Sequence, residues 1–123
     1  MKVERIQVGP RMAQAVIHGG TVYLAGQVAS GARGASVAEQ TKNILANIDS
    51  LLAEARSAKD RILLATIWLT DMNTFSEVNQ VWEAWVEPGA TPARATVGVP
   101  ALASDDYKVE IAIIAAQFTS GAA

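Results

Sequence analysis

Residues 91–117 read TPARATVGVPALASDDYKVEIAIIAAQ, a stretch that predicts two strands joined by a wide turn. The first arm, Ala93 to Val99, is rich in small and β-branched residues, and the second, Tyr107 to Gln117, is a long apolar run. Pro100 to Asp106 carries a proline, a serine and two aspartates, which are residues that favour turns. The sheet is expected to be organised around these two strands.

One arginine and one glutamate stand inside these apolar strands. Because successive strand side chains point to opposite faces, Arg94 shares a face with Thr96, and Glu110 shares a face with Ala112 and Ile114. A charge in such surroundings needs water, a partner or a ligand. From the residues alone, a structural ion pair or two edge charges at a strand rim are as well supported as a functional site.

The chain before the first helix predicts three strands. A short alternating segment, Glu4 to Val8, is typical of an edge strand, and Ala13 to Ile17 and Thr21 to Gln27 follow it. His18-Gly19-Gly20, which contains the single histidine, favours a tight hairpin between the last two strands. Ala29 to Gly34 reads as a flexible loop.

Two helices are predicted. The first begins at a capping box formed by Ser36 and Glu39 and runs to about Arg56. The second follows another capping box, Thr74 to Glu77, and ends at or before Pro88. Apolar residues at helical spacing indicate that each helix buries one face against a sheet. They are Val37, Ile44, Ile48, Leu51, Leu52 and Ala55 in the first helix, and Phe75, Val78, Val81, Trp82 and Trp85 in the second.

Arg61 to Leu69, between the helices, is a near-continuous apolar run typical of a central strand buried on both faces. The element order is therefore three strands, helix, strand, helix, two strands, and a tail, Thr119 to Ala123, that is expected to fray. This order predicts an α+β architecture with both helices on one face of a mixed sheet. The second sheet face is apolar enough to need cover from other subunits.

Length and charge exclude several functional classes. The 123 residues suffice for a single domain, 1–123, with one core. A net charge of −2 and a pI near 5.3 give no basic surface for nucleic acid. One histidine and no cysteine argue against a zinc site and exclude thiolate chemistry. No apolar run reaches the ~18 residues of a membrane span, and no signal-peptide pattern is present, so a cytoplasmic location is expected.

Motifs along nearly the whole chain match one family. Pro92-Ala93-Arg94 and Lys108-Val109-Glu110-Ile111 resemble the signature of the Rid family. These reactive-intermediate deaminases are also called YjgF proteins or L-PSP endoribonucleases. Further matches, in family order, are Gln14-Ala15-Val16, Gly19 to Gln27, Gln40-Thr41, Leu69 to Met72 and Phe75 to Asn79.

The resemblance implies a fold and an activity. Family members have a chorismate-mutase-like fold and form homotrimers around a central barrel, with active sites in the clefts between subunits. They hydrolyse 2-imino acids and their enamine tautomers to 2-keto acids and ammonia, without a metal or an organic cofactor. The expected partners are therefore a small imino or keto acid and two further copies of the chain, with no nucleic acid and no membrane.

The resemblance also implies site residues. Arg94 holds the substrate carboxylate, because a planar guanidinium fork matches a carboxylate bidentately. Glu110 orients or deprotonates the attacking water. Gly26 belongs to a strand-end Gly-Gln pair whose backbone lines the cleft, Asn79 matches a pocket-lining asparagine, and Thr96 stands where the family often has cysteine.

Departures from the family pattern affect the pocket. Met12-Ala13 replaces a Tyr-Ser pair, so that Met12 takes the position of a pocket tyrosine, and Ala25 replaces a frequent serine. Both changes remove a hydroxyl group. The connection between Arg94 and Glu110 is also one residue longer than expected. These differences predict a more apolar pocket and leave the substrate amino acid undefined.

Two other functions remain open. The same clefts could bind a carboxylate metabolite through Arg94 without catalysis, for sensing or regulation. RNA cleavage, implied by the older family label, is the weakest alternative. General acid–base cleavage of RNA usually uses histidines or lysines in a basic groove, and this chain is acidic.

Overall fold

Two helices and a seven-stranded sheet make up residues 1–118, the part of the chain that this computed structural model describes. The expected tail, residues 119–123, lies outside the described residues. The strands are β1 (Glu4–Val8), β2 (Ala13–His18), β3 (Thr21–Leu24), β4 (Gln27–Val28), β5 (Ile62–Leu69), β6 (Ala93–Gly98) and β7 (Val109–Ala116). The helices are α1 (Val37–Glu54) and α2 (Phe75–Trp85), and 3₁₀ turns cover Lys59–Arg61 and Met72–Thr74.

The strands lie in the order β1-β2-β3-β7-β5-β6, and β4 pairs with β7 off this path. All paired strands are antiparallel except β5 and β6, which are parallel. A parallel pair needs a crossover connection, and α2 supplies it. The predicted α+β fold, with two helices and one mixed sheet, is confirmed. The strand that carries Glu110 lies inside the sheet rather than at its edge.

The hairpin between β2 and β3 forms as predicted. His18 pairs with Thr21 across the turn. Gly19 and Gly20 have φ values of +60° and +78°, a left-handed conformation that glycine adopts without steric cost.

The predicted third strand, Thr21 to Gln27, is wrong as a single strand, because it breaks after Leu24. Tyr23 lies opposite Ile114 and Gln27 lies opposite Ile111. The segment therefore advances by four residues where β7 advances by only three. One extra residue therefore bulges from the ladder near Gly26. Alternation of apolar residues cannot reveal such a bulge, since the residues on either side still look like strand.

β5 lies between β7 and β6, as expected of a central strand, but it is not buried on both faces. Ala65, Ile67 and Leu69 are fully buried, whereas Leu63 and Leu64 are 52% and 38% exposed. The strand begins at Ile62 because Lys59–Arg61 forms a 3₁₀ turn. The helices cover one face of the sheet, and the described residues leave the other face open.

Capping differs between the two helices. Ser36 Oγ accepts a hydrogen bond from the Glu39 amide at 3.2 Å, while the Glu39 carboxylate accepts from Lys42 Nζ rather than completing a capping box. At α2, the Thr74 side chain makes no cap bond and donates instead to the Asp71 carbonyl at 2.6 Å. The predicted second capping box is therefore wrong, because the preceding 3₁₀ turn engages the threonine hydroxyl.

Both helix ends agree broadly with the prediction. α1 ends at Glu54, and Arg56 just beyond it has a φ of +62°. α2 ends at Trp85, before Pro88. Within residues 1–118, neither helix combines the length and the apolar character needed to cross a membrane.

The core lies between the helices and one sheet face, and the opposite face carries exposed apolar residues. Tyr23, Leu64 and Val97 on that face are 45%, 38% and 46% exposed. We call it the open face. Exposed apolar residues grouped on one face of a sheet are typical of an interaction surface. The largest fully buried side chains on the helix side are Ile44, Leu45, Ile48, Leu52, Ile67, Leu69, Ile111 and Ile113.

Candidate functional site

Arg94 lies on β6 and points toward α2. It is aligned with Ala65 of β5, a fully buried residue of the helix-covered face. The guanidinium carbon is 5.5 Å from the ring centroid of Phe75 and 5.5 Å from that of Trp82. Both separations fall within the range of a cation–π contact. A half-buried cation is thus supported by two aromatic rings of one helix.

The Arg94 guanidinium has no acidic partner among residues 1–118. Within residues 1–118, the three ion pairs join Arg33 to Asp106, Lys42 to Glu39 and Arg56 to Glu4. No hydrogen bond from the Arg94 side chain occurs in the described part of the chain. A structural ion pair between Arg94 and Glu110, one of the readings that the sequence left open, does not form. The guanidinium fork is available to an external anion.

Glu110 lies on β7 and points to the open face. It is aligned with Trp68, whose neighbours in β5, Ile67 and Leu69, are buried on the helix side. Across the other edge of β7, Glu110 lies opposite Val28 of β4. Partial burial removes water from the carboxylate, and this desolvation raises the pKa of Glu110 above its usual value.

Gly26 leaves the space that the Glu110 carboxylate occupies. A Cβ atom built at Gly26 would overlap Glu110 Oε2 and would lie 3.0 Å from Cδ. The bulge between β3 and β4 brings this backbone position over β7. The glycine is therefore required by a close approach of the carboxylate to the backbone, a requirement that the Gly26-Gln27 motif alone does not explain.

Arg94 and Glu110 lie on opposite faces of the sheet within one chain. Ala65 and Trp68, the β5 residues aligned with them, are three positions apart, and alternation places them on opposite faces. Four cavities of about 300 to 380 Å³ open on the described residues, and neither Arg94 nor Glu110 lines any of them. A single chain therefore does not bring the two charges into one cleft.

Two further expected site residues lie on the Arg94 side. Thr96 follows Arg94 on the same face of β6, aligned with buried Ile67. Asn79 lies on α2 four residues after Phe75 and three before Trp82, on the helix stripe that faces Arg94. Thr96 Oγ1 and Asn79 Oδ1 are both buried and without a hydrogen-bond partner among residues 1–118. Buried polar atoms are rarely left unpaired, so these two oxygens need a hydrogen-bond partner that residues 1–118 do not supply.

Met12, the remaining expected site residue, lies in the connection between β1 and β2. Its side chain is 54% exposed, and its carbonyl accepts a hydrogen bond from the Gly9 amide at 2.8 Å. The structure thus groups Gly26 with Glu110 on one face and Asn79 and Thr96 with Arg94 on the other.

Phe75 and Trp82 lie beside the site, although the sequence predicted them only as part of the apolar stripe of the second helix. Trp82 is indeed 95% buried. Their spacing of seven residues places both on one helix face. Only the contacts of the Arg94 guanidinium with both rings show that a cation lies beside them.

Metal ligation is not suggested by the side chains of the described chain. Within residues 1–118, no group of three or more histidine, cysteine, aspartate or glutamate residues is arranged to hold a metal ion.

Known proteins resemble this chain over nearly its whole length. The family model described as Endoribonuclease L-PSP matches residues 4–117. A RutC family protein of Haemophilus influenzae is 43% identical over 115 residues, which cover 94% of this chain and 98% of that protein. RutC family protein YoaB of Escherichia coli is 43% identical over 116 residues, covering 94% and 99%. The crystal structure of a YjgF family member from Neisseria meningitidis matches with a TM-score of 0.91 at 41% identity, covering 98% of each chain.

Proposed function

This chain belongs to the YjgF family, also described as Endoribonuclease L-PSP, and we propose that it hydrolyses 2-imino acids and their enamine tautomers to 2-keto acids and ammonia. Its mixed sheet with two helices is the chorismate-mutase-like fold of that family. The observation that carries the proposal is the guanidinium of Arg94, which is half-buried and has no acidic partner within residues 1–118.

Arg94 holds the substrate carboxylate in this proposal. An arginine fork can donate two parallel hydrogen bonds to the two carboxylate oxygens, which fixes both position and orientation. The carboxylate is common to every 2-imino acid, whatever its side chain. Arg94 therefore supplies recognition of the substrate class and leaves the choice of side chain to other residues.

Glu110 orients and deprotonates the attacking water. The water oxygen forms a bond to the imine carbon as Glu110 takes a proton from it, while the C=N electron pair moves to nitrogen, which takes up that proton. The hydroxyl group of the resulting carbinolamine then gives up its proton to the nitrogen, the C–N bond breaks, and ammonia leaves as the keto group forms. A carboxylate whose pKa is raised by desolvation is a better proton acceptor near neutral pH than an ordinary glutamate.

The two groups come from different subunits in this proposal. Arg94 and Glu110 lie on opposite faces of one sheet, so a shared site needs Arg94 of one subunit and Glu110 of its neighbour. The apolar open face supports association, and we propose a homotrimer with sites in its three clefts.

The other expected site residues act around these two charges. Thr96 Oγ1 and Asn79 Oδ1, which are buried without partners among residues 1–118, accept hydrogen bonds from an N–H group of the substrate or from a bound water. The backbone at Gly26 lines the Glu110 side, and Met12 gives the pocket an apolar wall in place of a hydroxyl.

One assay tests the proposal. Imines are generated in situ from a panel of amino acids with an amino-acid oxidase, and keto-acid formation is followed with and without the protein. The proposal predicts faster formation with the wild type and no acceleration with Arg94→Ala. Equal rates with and without the wild type across the panel would refute hydrolysis.

A non-catalytic carboxylate-binding protein is the second candidate, since an arginine without an acidic partner among residues 1–118 suits binding alone equally well. Glu110→Gln separates the two functions. In a binding protein, a nearby carboxylate repels the ligand, so removing its charge leaves affinity for a 2-keto acid unchanged or improves it. In a hydrolase, the same variant still binds the keto acid but loses roughly 10²–10⁴ in rate.

A further inference from the structure

We propose that Phe75 and Trp82 are positioning residues, whose ring faces hold the Arg94 guanidinium ready for a substrate carboxylate. This inference rests on the function proposed above and deepens it. Its basis is geometric, because the guanidinium carbon lies 5.5 Å from the centroid of each ring. Trp82 is 5% exposed, so its ring is fixed by packing.

An anion-binding arginine must be held without its donors being used. Arginine has a long, flexible stem, and ordering that stem on binding lowers affinity. Many arginines are ordered by an ion pair with a carboxylate, but such a partner would compete with the substrate for the same N–H groups. Arg94 has no such partner within residues 1–118.

Aromatic rings solve this problem because they attract the cation through their π faces. A cation–π contact stabilises the positive charge without accepting the N–H donors as a carboxylate would. The two rings lie about two turns apart on one face of a single helix, so they support the guanidinium from one rigid element. The fork is thus ordered before the ligand arrives, and its net charge is not neutralised.

Replacement of each ring by leucine tests the positioning role. Trp82→Leu and Phe75→Leu keep an apolar side chain and remove the π face. We expect the Kd for pyruvate, used as a 2-keto acid probe, to rise about tenfold in each variant. KM for imine hydrolysis should rise by a similar factor with little change in kcat, because uniform binding is lost. Trp82→Phe should restore most of the affinity.

Trp85→Leu is the matched control. Trp85 lies one helical turn from Trp82, with ring centroids 5.4 Å apart, and its Nε1 donates to Asp49 Oδ2 at 2.9 Å. No cation–π contact joins Trp85 to Arg94; its ring faces Lys59 instead. Trp85→Leu should lower the Tm, as Trp82→Leu does, without changing the Kd for pyruvate. A purely structural role of Trp82 predicts that both variants lower the Tm and that neither changes the Kd.

A readout without substrate tests the contact between the rings and Arg94 independently of activity. In the NMR spectrum of the free protein, ring currents should shift the Arg94 Nε–H signal, and the shift should shrink in Trp82→Leu but persist in Trp85→Leu. If Arg94→Ala abolishes pyruvate binding while Trp82→Leu and Phe75→Leu bind like wild type, the positioning role is wrong, and the role of Arg94 in binding the carboxylate is retained. If wild type binds no keto acid and hydrolyses no imine, the proposed function fails, and the positioning role for it fails too.

Discussion

Gly26→Ala is expected to remove activity while leaving the fold nearly unchanged. Gly26 is not among the glycines with positive φ, so an alanine fits the backbone conformation. The added methyl group would nevertheless overlap Glu110 Oε2 and lie 3.0 Å from Cδ and 3.3 Å from Cγ. Because non-bonded heavy atoms normally sit roughly 3.5 Å or more apart, the carboxylate must move by about 1 Å.

This displacement sets the magnitude of the effect. A misplacement of about 1 Å can cost on the order of 10²-fold in rate, so kcat/KM for imine hydrolysis should fall about 10²-fold. The stability cost is expected to stay below about 1 kcal/mol. The clashing atoms are the mobile end of a partly exposed side chain, and Gly→Ala also lowers the entropy of the unfolded chain.

Gly31→Ala provides a control with the same chemical change. A Cβ atom at Gly31 would lie 2.8 Å from Asn43 Nδ2, again the end of a polar side chain, and Gly31 also lacks a positive φ. The coupled oxidase assay and thermal unfolding should be run on both variants. Gly31→Ala should keep wild-type activity at a similar Tm. Wild-type kcat/KM in Gly26→Ala would refute the role assigned to the Glu110 carboxylate.

Three further predictions follow from the same geometry. Arg94→Lys should lose nearly as much activity as Arg94→Ala in the oxidase assay, because an ammonium group has no planar fork. Full activity of the lysine variant would exclude bidentate binding of the substrate carboxylate by Arg94. The raised pKa of Glu110 means that the carboxylate becomes protonated at a higher pH than usual, so kcat/KM should decline on acidification earlier than an ordinary glutamate allows. That decline at acidic pH should be absent from the residual activity of Glu110→Gln, and an unchanged decline would mean that another group titrates. The Tm of Glu110→Gln at neutral pH should equal or exceed that of wild type, because desolvation disfavours the charged form of the carboxylate. Light scattering at micromolar concentration should show a homotrimer that covers the open face, and a stable monomer would contradict this.

Sequence patterns identified the elements but not the relation between strands. Alternation within β6 and β7 correctly placed Arg94 with Thr96 and Glu110 with Ile114. Whether Arg94 and Glu110 lie on the same face of the sheet depends on how β6 and β7 align with β5. Ala65 of β5 is aligned with Arg94, and Trp68 is aligned with Glu110. That register is set by non-local pairing, which a single sequence does not reveal.

The bulge at Gly26 and the cap of α2 were not predicted either, the first because of non-local pairing and the second because of a local competing turn. Thr74 has the right spacing for a capping box, but Asp71 begins a 3₁₀ turn whose carbonyl captures the threonine hydroxyl. The glycine at position 26 was recognised only as a family motif. Its physical cause, the approach of the Glu110 carboxylate, depends on pairing with a strand more than eighty residues away.

Co-assembly of two inactive variants tests most directly the claim that one site uses Arg94 and Glu110 of different subunits. Arg94→Ala and Glu110→Gln chains carrying different tags are co-expressed, and mixed trimers are isolated through both tags and assayed for imine hydrolysis. An intact site forms only where Arg94 of a Glu110→Gln subunit meets Glu110 of an Arg94→Ala subunit in one cleft. In a random equal mixture, before selection through the tags, about one quarter of the clefts have this arrangement, so the mixture should recover about one quarter of wild-type activity. Trimers selected for both tags should recover about one third, because each has one intact cleft of three. Activity at the level of the separate variants would contradict a site that combines Arg94 and Glu110 of different subunits.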